Sequence, residues 1–169
     1  TGSVWTTGCC GADADGHGMG LHAMKLCFGV IDQPYDYGDE LVKTTFDVAC
    51  DLEERYEIFT HFWEMHKDEI IQEAGTELAY QLVNHFKYKA PLPGEHFLEG
   101  TGKIFHIFLE TEEMAGMTIN GNPVPTQAAL LGVNSRLKDK YTGERRPSFI
   151  DGGLFKGSFI AWIDNNAES

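Results

Sequence analysis

A histidine–glutamate cluster near the middle of the chain comes close to a zinc-protease motif. His61 and His66 flank Glu64, but the two histidines are five residues apart rather than four. Two histidines on a helix bind one metal when both rings lie on the same face, which the four-residue spacing provides. We therefore interpret both histidines as surface or partly buried side chains. The sequence predicts no metal site here.

Carboxylates and a glycine-rich segment are the other candidates for chemistry. Glu95 and Glu99 lie about one helical turn apart, and three more glutamates lie within residues 110–113. Glycoside hydrolysis needs two carboxyl groups across a cleft, and the sequence indicates no cleft. Residues 100–103, Gly-Thr-Gly-Lys, lack the first glycine and the final Ser or Thr of a phosphate-binding loop, which favours a kink or a helix start. We predict no catalytic residue and no cofactor.

All four cysteines lie in the first third of the chain, at Cys9, Cys10, Cys27 and Cys50. Their spacing does not match a zinc module, which needs two closely spaced pairs. His17 and His22 lie near the first two cysteines, so a metal clip is an alternative. A disulfide, within the chain or between subunits, is the favoured interpretation if the protein reaches an oxidising environment.

Composition indicates a folded and strongly acidic protein. A hydrophobic content of 42% in 169 residues suits one domain with a substantial core. No apolar run is long enough to cross a bilayer. The net charge of −13 disfavours nonspecific binding to nucleic acid. We expect no membrane partner and no specific nucleic-acid partner.

The charge is unevenly distributed along the chain. Residues 136–156 carry six basic side chains against three acidic ones, so this segment is +3 while the rest of the chain is −16. The predicted contact residues are Arg136, Lys138, Lys140, Arg145 and Arg146. Patches of opposite sign suit a molecule that meets copies of itself or a neighbour. A solvated basic loop without a partner is the alternative.

Glycine content and apolar spacing predict the elements that would position these groups. Residues 1–23 are rich in glycine and form a predicted flexible arm, ahead of a single domain over residues 24–166. Alternating apolar residues over Lys25–Ile31 predict a strand. Residues 41–50 either add a second strand or lead into a helix.

One long helix is the clearest local prediction. Its apolar residues follow helical spacing from Leu52 to Phe86, with Asp51 as the predicted N-cap and two prolines beyond its end. About 36 residues at roughly 1.5 Å each would give a rod of about 54 Å. A break near Gly75 is one alternative. Otherwise a helix longer than its own core indicates an assembly.

Shorter elements complete the predicted fold. A second helix is expected over residues 95–113, followed by a turn at Asn120-Gly121, since asparagine and glycine tolerate positive φ. Thr126 is the predicted cap of a short helix that runs to about Leu137. The predicted class is α+β, with a long amphipathic helix packed against a small antiparallel sheet and further short helices.

The C-terminal segment, residues 145–164, combines a basic start, a proline, the turn Asp151-Gly152-Gly153 and an aromatic run. Asp151 is predicted to cap the element that follows, and the two glycines permit a backbone turn that larger residues resist. The apolar residues that follow fit either a short helix or a turn that leads into a strand. We interpret the segment as a docking or folding element.

The order of residues in this segment resembles a pattern in small minor structural proteins of tailed bacteriophages, of the head–tail joining or tail-completion type. Residues 124–129 and 132–138 and the acidic start of the long helix also resemble those proteins. The resemblance spans about residues 45–164, and the last forty or so are its most specific part. Gly152 stands where the pattern usually has threonine, which leaves Asp151 as the only capping candidate.

The resemblance implies a non-enzymatic virion protein, assembled in the host cytoplasm. It would join head and tail or complete the tail as a ring of identical subunits, next to connector or tail proteins. The basic contact residues would then meet acidic faces on the next subunit or on a neighbouring ring. Two alternatives belong to other classes: a small phage-encoded hydrolase acting on cell wall, and a host-factor-binding module.

Overall fold

The computed structural model describes residues 4–6, 25–35, 43–90, 96–133, 143–150 and 152–164, and these residues form an α+β fold. In chain order the elements are β1 Val4–Thr6, β2 Lys25–Ile31, α1 Thr45–Tyr56, α2 Ile58–Tyr88, β3 His96–Phe97, α3 Glu99–Glu110, β4 Thr118–Ile119, β5 Asn122–Pro123, α4 Gln127–Leu130, α5 Leu154–Ser158 and β6 Phe159–Asp164. The predicted class, a long helix on a small antiparallel sheet with further short helices, is confirmed. None of the described helices combines the length and apolarity that a membrane span requires.

The main sheet has the strand order β1-β2-β6-β3, and every neighbouring pair is antiparallel. The strand predicted over Lys25–Ile31 is confirmed as β2. The C-terminal aromatic run contains both of the predicted alternatives, because α5 leads directly into β6. Val30 lies opposite Phe159 in the register, and both side chains are buried, so this face of the sheet supplies part of the core.

Aromatic rings fill the space between the sheet and the helices. Phe105 of α3 stacks on Phe159 of β6 with ring centroids 3.9 Å apart. Phe62 of α2 contacts Phe105 edge to face at 5.0 Å and Phe28 of β2 at 5.7 Å. Because each ring buries a large apolar area, this cluster contributes much of the stability and fixes the first half of α2 on the sheet.

The long predicted helix is two helices, and its predicted start and break are wrong. Thr44 is the N-cap, and its side chain and that of Asp47 form a reciprocal capping box, so Asp51 lies inside α1 instead of preceding it. The break falls at Glu57, which has a φ of 49°. Gly75 lies within the continuous α2, which ends before the prolines as predicted.

Interactions from other parts of the chain stabilise the break between α1 and α2. The Glu53 carboxylate accepts from the backbone N–H of Phe59 at 2.7 Å and from the hydroxyl of Thr60 at 2.6 Å, which caps the start of α2. The Asn120 side chain donates to the backbone oxygen of Glu54 at 3.2 Å. These bonds satisfy backbone groups that the interrupted helix would leave without partners.

The shorter elements follow the sequence predictions with different bounds. Asn120 and Gly121 have φ values of 50° and 79° between β4 and β5, as the predicted turn requires. Thr126 caps α4 by accepting from the Ala129 N–H at 3.2 Å. α4 ends at Leu130 and not near residue 137, and α3 is shorter at both ends than the predicted helix.

Candidate functional site

Arg146 holds the C-terminal basic segment against the rest of its own chain. Its guanidinium donates to the backbone oxygens of Ile150, at 2.8 Å, and Val133, at 3.3 Å. Its backbone N–H donates to the oxygen of Ala129 at 3.2 Å. Partly buried carbonyl oxygens that lose water need such donors, so these bonds fix the loop. Arg146 therefore orders residues 143–150.

Arg145 has the opposite environment. Its side chain is 53% exposed, and Nη2 lies 2.6 Å from a carboxylate oxygen of Glu112. The Glu112 side chain is only 13% exposed, so the guanidinium is the accessible member of the pair. The other predicted contact residues, Arg136, Lys138 and Lys140, lie outside the described residues, as does the predicted cap Asp151. Gly152 and Gly153 have φ values of 66° and 79° just before α5, which glycine adopts without steric cost.

A groove of about 220 Å³ lies between α1, α4 and the loop that Arg146 orders. Buried Val48 and Phe155 contribute apolar lining. Half-buried Asp51 and exposed Arg55 contribute charge of both signs. A concave surface with apolar lining and a few charged groups can accept a side chain from a partner.

The C-terminal part of α2 extends past the helix on which it packs. α3 runs antiparallel to α2 and begins beside Glu77, whose carboxylate accepts from the Gly100 N–H at 2.6 Å. Ala74 is the last buried residue of α2. We call residues 75–88 the overhang. Its exposed large apolar side chains are Tyr80, Leu82, Val83, Phe86 and Tyr88.

The sequence predicts a helix longer than its own core, but not the position at which burial ends. Leu82 and Phe86 follow the predicted apolar spacing of the long helix, and they are 38% and 71% exposed. The periodicity of α2 does not change at Ala74, so it carries no sign of where burial ends. The available signal was length, because the predicted helix was longer than a small core could cover.

Two histidines of α2, His61 and His66, lie beside carboxylates. His66 is 3.0 Å from a carboxylate oxygen of Glu69 and 2.9 Å from one of Glu113. His61 lies 3.7 Å from the Glu64 carboxylate. Across the part of the chain that the structure describes, no group of three or more His, Cys, Asp or Glu side chains could hold a metal ion.

One glutamate at the end of α3 and two just after it lie beside basic side chains. The pairs are Glu110 with Lys156, Glu112 with Arg145, and Glu113 with His66. A hydrogen bond from Lys156, together with its positive charge, lowers the pKa of the Glu110 carboxyl below its ordinary value. A general acid for hydrolysis needs a raised pKa instead. Of the two carboxylates one helical turn apart in the sequence, Glu99 is exposed at the start of α3, and Glu95 lies outside the described residues.

The glycine-rich segment at residues 100–103 forms the first turn of α3, as the helix-start interpretation expects. A phosphate bound there would accept from the free N–H groups of that turn. The carboxylate of Glu77 already accepts from Gly100, and a Cβ at that glycine would overlap the Glu73 side chain. The chain's own carboxylate thus takes the place of an anionic ligand.

The two described cysteines lie in different elements. Cys27 is buried in β2, and Cys50 is half-buried in α1. Burial and, secondly, the charges of Asp47 and Asp51 raise the pKa of the Cys50 thiol, which disfavours the reactive thiolate. Cys9 and Cys10 lie outside the described residues, so the disulfide stays a prediction.

Comparison with known proteins gives no relative for this arrangement. No protein-family model, curated protein or solved structure matches the chain. The assignment of a function therefore rests on the chain's own residues and on the resemblance of its C-terminal segment.

Proposed function

We propose that this protein is a non-enzymatic structural component of a tailed-bacteriophage particle. It joins head and tail or completes the tail as a ring of identical subunits, in contact with connector or tail proteins. The observation that carries the proposal is the contrast within one basic segment, where Arg146 orders the backbone and Arg145 is exposed for a contact.

The division of work between the two arginines suits a protein that docks. A contact surface binds more tightly when its backbone is already ordered, because less conformational entropy is lost on binding. Arg146 supplies that order from within the chain. Arg145 can also reach an acidic group on a neighbour, since its side chain is 53% exposed and its guanidinium suits bidentate contacts with carboxylates.

Acidic surfaces on the same molecule provide a complementary patch. Residues 51–77 carry nine acidic and two basic side chains. Among them Glu54 of α1 and Glu69 of α2 are exposed. A contact between the basic patch of one copy and the acidic patch of the next is heterologous, and repeated heterologous contacts form a ring when the rotation between copies closes and an open filament when it does not. The resemblance to head–tail joining and tail-completion proteins supplies the kind of assembly.

Immunogold electron microscopy of particles purified from the source culture tests the proposal directly. We expect an antibody against this chain to label the head–tail junction or the tail. A chain that does not sediment with any particle would overturn the proposal.

A pair of variants tests the contact itself. Arg145→Glu should weaken self-association of the purified chain, measured by native mass spectrometry, because it places like charges at the contact. Lys103→Glu changes an exposed lysine of α3 and alters net charge by the same amount, so it is the matched control. Equal effects from the two variants would argue against a specific role for Arg145.

A further inference from the structure

One side of α2 carries a continuous apolar stripe that the sheet does not cover. Ile71, Gly75, Leu78 and Leu82 recur at spacings of four, three and four residues, which is the spacing by which one helix packs along another. Ile71 is 55% exposed and Leu82 38% exposed. Phe86, 71% exposed, borders the stripe. Phe62, in the first half of α2, is buried on the other side of the helix, whereas Leu78 lies one turn after buried Ala74 and is half-buried, so the stripe borders the core along one edge.

Charged residues lie beyond both ends of the stripe. Glu64 and Asp68 precede Ile71 at the same spacing, whereas Lys89, the C-cap residue just past α2, follows Leu82. Glu64, Asp68 and Lys89 are exposed, so their charges are available to a partner. The stripe therefore has an acidic end, an apolar middle and a basic end.

We propose that this stripe binds a second copy of the chain, with the two α2 helices antiparallel about a twofold axis. In that register Ile71 lies opposite Leu82 and Gly75 lies opposite Leu78, so a small residue faces a large one. The acidic end of each helix then lies beside the basic end of the other, with Glu64 opposite Lys89. Charge complementarity thus favours a second copy as the occupant.

A parallel pair of the same stripes is disfavoured on the same residues. It would place Glu64 and Asp68 of both copies side by side, and like charges at close range repel. It would also place Gly75 opposite Gly75, where no side chain fills the space between the helices. The antiparallel register avoids both the repulsion and the unfilled space.

The twofold contact is separate from the contact proposed for Arg145. An isologous interface pairs two molecules and is then complete, so it does not by itself form a ring. Arg145 lies beside Glu112, just after the end of α3, whereas the overhang lies beyond the start of α3. The pairing can therefore be measured in the purified chain without reference to the particle.

Sedimentation velocity of the full chain over a range of concentrations tests the pairing. The stripe spans only a few helical turns, so we expect a dimer with a dissociation constant of about 1–100 µM. Leu82→Arg should raise that constant by about 100-fold, because it places a charge at the middle of the contact. A wild-type chain that stays monomeric at about 500 µM, five times the upper end of that range, would overturn the proposal.

Tyr80→Arg is the matched control for this variant. Tyr80 is 68% exposed and lies two residues from Leu82, on a different side of the helix. It should leave the dissociation constant within about twofold of wild type, since it lies outside the contact. Equal weakening by both variants, or a larger assembly that Leu82→Arg leaves intact, would overturn the antiparallel pairing. A monomer that binds vesicles of neutral lipid would assign the stripe to a lipid surface instead.

Exchanging the charges of residues 64 and 89 tests the orientation of the two α2 helices. Glu64→Lys and Lys89→Glu should each raise the dissociation constant by about tenfold at low salt, and the double variant should restore it. The double variant regains the wild-type dissociation constant only when residues 64 and 89 of different copies are neighbours, as in the antiparallel pair. Lys87 is exposed on a different side of α2 from the stripe, so Lys87→Glu is the control. A double variant as weak as the single ones would overturn the antiparallel register.

Discussion

The two halves of α2 both carry apolar residues at helical spacing, but the environments of these residues differ. Phe62, in the first half, is fully buried among the rings of the sheet and α3. Phe86, in the overhang, is 71% exposed. The difference arises because α3 begins beside Glu77 and provides no surface beyond it. An apolar helical position therefore predicts burial only where another element is present to cover it.

The largest expected effect is the difference in stability between alanine variants of these two phenylalanines. Phe62→Ala should lower the free energy of unfolding by about 3–5 kcal/mol, because it leaves a cavity among packed rings. Phe86→Ala should change it by less than about 0.5 kcal/mol, since an exposed side chain loses few contacts. Urea denaturation at low protein concentration, where pairing is absent, measures both. A loss above about 1.5 kcal/mol for Phe86→Ala would show that the overhang is covered within the monomer.

A second contrast concerns the neighbouring arginines. Arg146→Met should lower the free energy of unfolding by about 1.5–3 kcal/mol, because the backbone oxygens of Ile150 and Val133 lose a charged donor. Arg145→Met should cost only about 1 kcal/mol, since it removes one hydrogen bond from a half-exposed guanidinium to the Glu112 carboxylate, which the Ser148 hydroxyl also contacts. Thermal and urea unfolding of the two variants measure the difference. Equal losses would mean that both arginines serve the fold.

This contrast corrects a prediction that treats the basic residues as one group. Composition and charge indicate that residues 136–156 are basic, but they do not distinguish an arginine that binds its own backbone from one that meets solvent. The acceptors for Arg146 are the backbone carbonyl oxygens of Val133 and Ile150. Every residue type has such an oxygen, so the sequence does not identify these partners. Charge pattern alone therefore could not identify the structural arginine.

Local patterns predicted the fold where the determining residues are neighbours in sequence. The alternation over Lys25–Ile31 and the Asn120-Gly121 turn both act through adjacent residues, and both were predicted. The break at Glu57 was missed because the apolar spacing continues across it. It depends on Glu53 and on Asn120, and the latter lies 66 residues from the backbone oxygen that it binds. Such long-range bonds cannot be read from a periodic pattern.

A third prediction concerns the boundary between the two halves of α2. Glu77→Ala should lower the free energy of unfolding by about 1 kcal/mol, because its carboxylate accepts from Gly100 in the first turn of α3. Asp68→Ala is the control, since Asp68 is an exposed carboxylate on the same helix. Urea denaturation again provides the measurement. An unchanged stability for Glu77→Ala would mean that α3 is stabilised at its start by other contacts.

The smallest expected effect concerns the exposed pair Glu110–Lys156, near the end of α3. Lys156 lowers the pKa of Glu110, so the ionised pair stabilises the folded state above the ordinary carboxyl pKa of 4.5, and this contribution is lost as pH falls through the lowered value. Lys156→Met should return the pKa of Glu110 towards its ordinary value, measured by NMR titration of the side-chain carboxyl. Because the carboxyl is exposed, the stability of the protein near neutral pH should scarcely change. An unchanged pKa of Glu110 in this variant would show that Lys156 is solvated and does not pair with Glu110. Side chains at the exposed ends of helices would then lack the fixed partners that side chains of the core have.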